Sequence, residues 1–364
     1  MTPRERVMAA FEHREPDRVP AWCGASDGFW AKAKRELRLD DEGLRVRFGD
    51  DFRRVFAVDT RAQSDFPEGV TSRTVFGVDR RGMGYGQPVR HPLARATLAE
   101  IHAYPWPDPG RLDVSRIRAA AESYRGEYAI LGGDWSPFWH DAIDLLGMEG
   151  LYLKMYDEPE LVDALMKHLV DYYAAANARI LDAAASAMDI LFIGNDFGSQ
   201  NGPLLGVELF RRFVLPHLRR LVDTGHAYGL KVMLHCCGGF APLIPSLIEI
   251  GLDGLHAVQP CCTGMDLRAL KREFGDRILF NGAIDSHHVL IKGTPDTVRA
   301  RAREVLRIMM PGGGYVAGAS HDSILEETSV ENVVAMFETV RERGLYGTRR
   351  GPASGAPGAG RRRR

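Results

Sequence analysis

The sequence has no apolar run of the roughly 18 residues that a membrane helix needs, and Met1-Thr2-Pro3-Arg4-Glu5-Arg6 holds no apolar core of a secretory leader. A membrane partner is therefore not expected, and a soluble, cytoplasmic protein is. Neither sign of charge is in excess. The 47 basic residues face 48 acidic ones, a formal net charge of -1, so no global field draws the chain to nucleic acid or an anionic surface, and a small-molecule partner is expected. Cysteine is scarce and oddly spaced: Cys23, Cys236, Cys237, Cys261 and Cys262. Five thiols with two adjacent pairs make poor disulfide arithmetic and suit a reducing compartment, where thiols serve metals or catalysis. No Gly-x-Gly-x-x-Gly follows the first predicted strand, which argues against an open dinucleotide-binding sheet.

Short apolar runs alternate with helical patterns along the chain. Strands are predicted to begin at Val19, Val55, Tyr128, Asp189, Leu230, Gly254, Arg277 and Gly314. The second is predicted over Val55–Asp59, and each but the second leads promptly into a helix. Eight strand–helix units are what a (β/α)8 TIM barrel requires. Residues 1–346 are assigned to it. After the second strand, Thr60–Gln87 reads as an excursion with a hairpin at Val75–Asp79 and Arg80–Met83, placed to lie over the barrel mouth. One helix is predicted over Ala142–Met155, and one over Leu209–Val222 kinked or restarted at Pro216. Residues 347–364, rich in Gly, Ala, Pro and Arg, read as a disordered tail.

The most informative stretch is Leu230–Gly239, Leu-Lys-Val-Met-Leu-His-Cys-Cys-Gly-Gly. Side chains alternate along a strand, so His235 and Cys237 share a face and Cys236 takes the other. At a barrel mouth an imidazole and a thiolate would thus converge where such folds keep their chemistry. Asp27, Asp59, Asp134, Asp196, His235, Cys237, Gln259, Asp285 and His321 all follow predicted strands. Soft thiolate with imidazole favours zinc, and a catalytic zinc keeps three protein ligands and an open position. His235 and Cys237 supply two; His321, at the end of the eighth strand, ranks first for the third, with Cys262 or Cys261 second. Asn195 and Asp196 with Gln200, and Gln259, are read as positioning the acceptor, and Asp134 and Asp285 as cofactor contacts. His287 and His288 are read as flanking the helix after Asp285. A zinc-bound thiol loses its proton near neutrality and attacks an electrophilic methyl or acyl group, so thiol alkylation is the reaction class these residues point to.

Met1–His13 followed by Glu15-Pro16-Asp17-Arg18-Val19-Pro20, then His235-Cys236-Cys237-Gly238, Met265-Asp266-Leu267, Lys271-Arg272-Glu273-Phe274-Gly275, Asn281-Gly282-Ala283-Ile284-Asp285 and Gly312-Gly313-Gly314-Tyr315 resemble the uroporphyrinogen decarboxylase superfamily. The resemblance reaches to about Leu345 and implies a (β/α)8 barrel with one of two activities. One is decarboxylation of uroporphyrinogen; the other is zinc-dependent methyl transfer between a corrinoid protein and a thiol. Decarboxylases carry Arg-Gln-Ala-Gly-Arg after the first strand and Phe-Ser-Asp after the second. Here those places read Trp22-Cys23-Gly24-Ala25-Ser26-Asp27 and Ala57-Val58-Asp59-Thr60-Arg61, so the gripping arginines are missing and only Asp59 stands for the acid. The methyltransferase branch carries His-x-Cys after the fifth strand and a further cysteine near the eighth. This chain keeps the first and reads Gly318-Ala319-Ser320-His321-Asp322 at the second. The resemblance implies a zinc methyltransferase working with a corrinoid carrier and a thiol or folate-like acceptor. A decarboxylase, or a non-catalytic corrinoid- or tetrapyrrole-binding protein, is the alternative.

Overall fold

A computed structural model describes residues 1–59, 66–82 and 86–347, with the side chains of residues 58 and 59 outside the description. Seven parallel strands form one curled sheet: β1 (Phe52–Val55), β2 (Ala129–Gly132), β3 (Ile190–Gly194), β4 (Lys231–His235), β5 (Gly254–Val258), β6 (Leu279–Ile284) and β7 (Tyr315–Ala319), paired in chain order. The eighth place is filled by Pro20–Trp22. This segment pairs with β7 through Ala317 N to Pro20 O at 2.8 Å and Trp22 N to Ala317 O at 2.9 Å. It meets the start of β1 through Asp51 N to Ala21 O at 3.0 Å. The ring is thereby a TIM-type barrel whose predicted first strand is reduced to a single bridge. Proline has no N–H for a ladder, and the N–H of Ala21 goes instead to the Asp51 carboxylate at 2.7 Å.

That carboxylate is the closing clasp. Asp51, 1% exposed, also accepts from Arg6 at 2.6 Å and from both terminal nitrogens of Arg18 at 2.9 Å. Arg6 reaches it from the helix Pro3–Phe11, whose Val7, Ala10 and Phe11 pack with Phe52, Leu131, Ile190, Met233 and Leu279 inside the barrel. This helix covers the end of the barrel opposite the mouth.

Several sequence expectations change in place. The second strand is Phe52–Val55, not Val55–Asp59, with Arg53 and Arg54 inside it. Arg53 is buried, bonded to Glu42 and lying 3.6 Å over the Tyr128 ring. Val58–Asp59 pairs antiparallel with Leu112–Asp113 instead. The helix expected over Ala142–Met155 is two helices, Phe138–Leu146 and Met148–Asp157, divided at Gly147 with φ +79°. The Pro216 pattern restarts as predicted, as a π-helical stretch Phe210–Val214 followed by Leu215–Ala227. The excursion is three short antiparallel strands, Ser72–Arg73, Asp79–Arg81 and Gln87–Pro88. Arg80 fastens it to Asp144 on the helix Phe138–Leu146, and Phe76 sinks among Trp106, Tyr172 and Tyr173. Its residues 60–65 and 83–85, and residues 348–364 of the expected tail, lie outside the described residues. Among the described residues no helix is long and apolar enough to cross a membrane.

Removing one partner from a buried ion pair strands the other charges. Asp51→Ala is therefore expected to lower unfolding stability by about 3–5 kcal/mol, read as a shift of the urea midpoint. A loss near that of a surface substitution would show that the ring closes without the clasp.

Candidate metal and active site

The alternation along β4 is visible in its packing. Val232, Leu234 and Cys236 belong to the layer between strands and helices, whereas Met233 faces the barrel interior. His235 continues the inward series and is 4% exposed. Cys237 turns back over it, with Sγ 3.3 Å from His235 Nε2, while Cys236 accepts from the Phe197 amide at 3.3 Å. Gly238 makes the turn. Its φ is +86°, and a Cβ there would stand 2.3 Å from the carbonyl carbon of Gly198, so the loop after β4 lies backbone on backbone against the loop after β3.

That contact delivers Asp196. Its carboxylate Oδ1 accepts from the Cys237 amide at 2.7 Å and lies 3.4 Å from His235 Nε2. Its amide donates to His140 Nε2 at 3.1 Å. Trp135 covers the group, its ring 5.3 Å from that of His235, and fits because Gly194 has no side chain: a Cβ there would be 2.2 Å from the indole. On the far side of His235, Nδ1 lies 3.1 Å from Nδ1 of His256, which is fully buried against Trp22.

Electrostatics in this corner are poised for a cation. Burial alone would raise the Asp196 carboxyl, but the bond and charge of His235, with His140 and the Cys237 amide, hold it well below the carboxylate range. Burial first, and then the charge of Asp196, push the Cys237 thiol far upward. A divalent ion would reverse that balance, because a thiolate then answers positive charge. Ligand atoms of Asp196, His235 and Cys237 all lie within 4.8 Å of one another. In tetrahedral zinc geometry, with Zn–S about 2.3 Å and Zn–N about 2.0 Å, donor atoms sit about 3.5 Å apart. The imidazole–sulfur and imidazole–carboxylate separations here match that spacing, so the donor set fits zinc. His235, His256 and Asp322 form a second group within 4.8 Å.

The other predicted residues are placed differently. His321 is not in the Asp196 group; its Nδ1 lies 2.9 Å from the Ser323 carbonyl, turned along its own loop. Cys262 contacts Gln259 at 3.5 Å, and Cys261 lines a separate cavity of about 420 Å³ with Asp285, His288 and Arg301. Neither thiol joins His235. Asp285 caps the turn holding His287 and His288, accepting from both amides at 2.9 and 2.8 Å. Gln259 holds the Gly238 amide at 2.8 Å, which shapes the loop that carries Cys237. Gln200 is exposed, and its carbonyl takes the Thr263 amide. Asn195 is a buried strut between Trp139 and Ser136. Asp27 opens the helix Asp27–Leu37. The side chain of Asp59 lies outside the described residues. Asp134 lines a cavity of about 220 Å³ with Thr74, Arg80, Trp135, His140, Asp141 and Tyr173, directly beside the Asp196 corner. His140, His256 and Asp322 escaped sequence reasoning. For His256 a signal existed: it occupies an inward position of β5 in register with His235.

Within the smaller cavity, burial pushes Asp141 up to about 7, opposed by the Tyr173 hydroxyl it accepts at 2.6 Å and reinforced by Asp144. The folded state keeps this proton to about pH 7 while the unfolded chain releases it near pH 4. Folded protein therefore binds more protons across that window, and stability falls as pH rises through it. Asp141→Asn cannot ionise and still accepts from Tyr173, so its urea midpoints at about pH 5 and about pH 8 should differ less than those of wild type. An unchanged difference would assign the slope to other groups.

The uroporphyrinogen decarboxylase (URO-D) family pattern matches residues 74–343. The uroporphyrinogen decarboxylase of Alkalilimnicola ehrlichii is 28% identical, with 93% of each chain covered. The methylcobamide:CoM methyltransferase MtbA of Methanosarcina mazei is 22% identical over 84% of this chain and 89% of its own. Among solved structures, a methyltransferase from Methanosarcina mazei superimposes with a TM-score of 0.68 at 19% identity, covering 94% of this chain and 99% of that one, which is a likeness of fold.

Proposed function

The chain belongs to the uroporphyrinogen decarboxylase family, and we propose that within it the protein is a cytoplasmic zinc-dependent methyltransferase that moves a methyl group between a corrinoid carried by a partner protein and a thiol or folate-like acceptor. The observation that carries this reading is the convergence of His235 Nε2, Cys237 Sγ and the Asp196 carboxylate at zinc-ligand spacing. These three would hold the ion, with Asp196 in the place expected of His321. Bound zinc supplies Lewis acidity that brings a thiol to its nucleophilic thiolate form near neutral pH.

The chain's own residues prepare that chemistry. The Cys237 amide holds the Asp196 carboxylate, and His140 holds the same residue by accepting from its backbone amide. The Trp135 ring shields the His235 face from water, which strengthens electrostatic interactions beneath it. The neighbouring cavity, walled by Asp134, Trp135, His140 and Tyr173, offers room for a small acceptor within reach of the three donors.

A second reading, uroporphyrinogen decarboxylation, draws on the Alkalilimnicola relative. Against it stands the charge around the site. Arg54 lies 3.8 Å from Asp322, and Arg80 is bonded to Asp144, so both cations already face acids where a many-carboxylate tetrapyrrole would need grips.

Metal analysis of the purified protein should find about one zinc per chain, and Cys237→Ala should lose it. The zinc-loaded protein should demethylate methylcobalamin on addition of a small thiol, followed by the corrinoid spectrum. Wild type without stoichiometric zinc, or Cys237→Ala with its zinc intact, defeats the reading. Coproporphyrinogen formed from uroporphyrinogen would favour the decarboxylase.

A further inference from the structure

We propose that His256 is a positioning residue that fixes the tautomer of His235, accepting a hydrogen bond from its Nδ1–H so that Nε2 is left bare toward Cys237 and Asp196. The inference deepens the zinc reading above and, for its metal consequence, rests on it.

The geometry leaves few choices. The two Nδ1 atoms are 3.1 Å apart in a buried contact, so one carries hydrogen and the other accepts it. If His256 donated, His235 would keep its remaining proton on Nε2, pointed at the sulfur 3.3 Å away and the carboxylate 3.4 Å away. No metal can bind a nitrogen so protonated. With His235 donating, Nε2 presents its lone pair to the cation, and the proton of His256 moves to its own Nε2. That atom is fully buried and has no hydrogen-bond partner among the described residues, and neither has Asp322 Oδ1. Asp322 lies close by, with ligand atoms of His235, His256 and Asp322 within 4.8 Å of one another, and its Oδ1 is 3.8 Å from Arg54. Metal-binding histidines commonly donate their second ring nitrogen to an outer partner, and loss of that partner costs 10–100-fold in affinity. Here a neutral imidazole occupies the partner's place. Trp22 packed on the His256 ring at 4.7 Å holds it there.

The test uses the full-length wild type, His256→Leu, which cannot accept a hydrogen bond, and His256→Gln, which can. Long-range proton–nitrogen NMR on metal-free protein reads the tautomer without reference to activity. His235 is expected protonated at Nδ1 in wild type and in His256→Gln, and to lose that preference in His256→Leu. Chelator competition should show zinc bound about 10–100-fold more weakly by His256→Leu, with most of the affinity restored in His256→Gln. Cobalt substitution should keep its sulfur charge-transfer band in all three. His235 protonated at Nε2 in wild type, or equal zinc affinity in wild type and His256→Leu, overturns the inference. A cobalt spectrum with two imidazoles and no sulfur also overturns it, by making His256 a ligand of the second group. Should wild type bind no zinc, the proposed function fails, while the tautomer measurement still decides the role of His256.

Discussion

The parallel register of β3, β4 and β5 is the constraint from which the site follows. Pairing sets His235 level with Gly194 on one side and His256 on the other. Residues paired in register on neighbouring parallel strands point to the same face of the sheet, so three strand ends place a gap, an imidazole and a second imidazole side by side. The gap at Gly194 admits Trp135, and the loop beyond it carries Asp196 to the sulfur of Cys237. A register slip of one residue on β4 would point His235 outward among the helices, and one on β5 would do the same to His256.

Much of this arrangement was legible because it depends on period two. The convergence of His235 and Cys237, and the outward turn of Cys236, follow from alternation alone. The barrel followed from eight strand–helix units, although its first strand proved to be one bridge held by an aspartate. What alternation cannot supply is the path of a loop. His321, Cys261, Cys262 and Asp285 all sit just beyond strand ends, yet their loops aim them at a backbone carbonyl, an outer cavity, a glutamine and a helix cap. Asp196 reaches the site only because two glycine-containing backbones touch, a contact between chain segments forty residues apart that no local pattern encodes. The second strand lies earlier than its apolar run suggested, and its Arg53 has stem and guanidinium buried against Tyr128 and Glu42.

Charge is handled differently at the two ends of the barrel. Near the first helix, Asp51 has two arginines and an amide, which makes a satisfied, rigid closure. At the mouth, the four carboxyls of Asp196, Asp134, Asp141 and Asp322 gather around His140, His235 and His256, with Arg54 near Asp322 and Arg80 beside Asp134 and Asp141. Such an imbalance is costly in a buried place unless a proton or a metal offsets it. Burial raises Asp141 until it keeps its proton to about pH 7, and the thiol of Cys237 likewise resists ionisation.

The helix Pro3–Phe11, seated in the barrel with Phe11 against β5 at Gly254, makes the interior a blind well and not a tunnel. Whatever reaches His235 must enter and leave by the same doorway. Two reactants therefore cannot arrive from opposite sides. A ligand that fills that doorway therefore blocks the exchange of anything lodged beneath it.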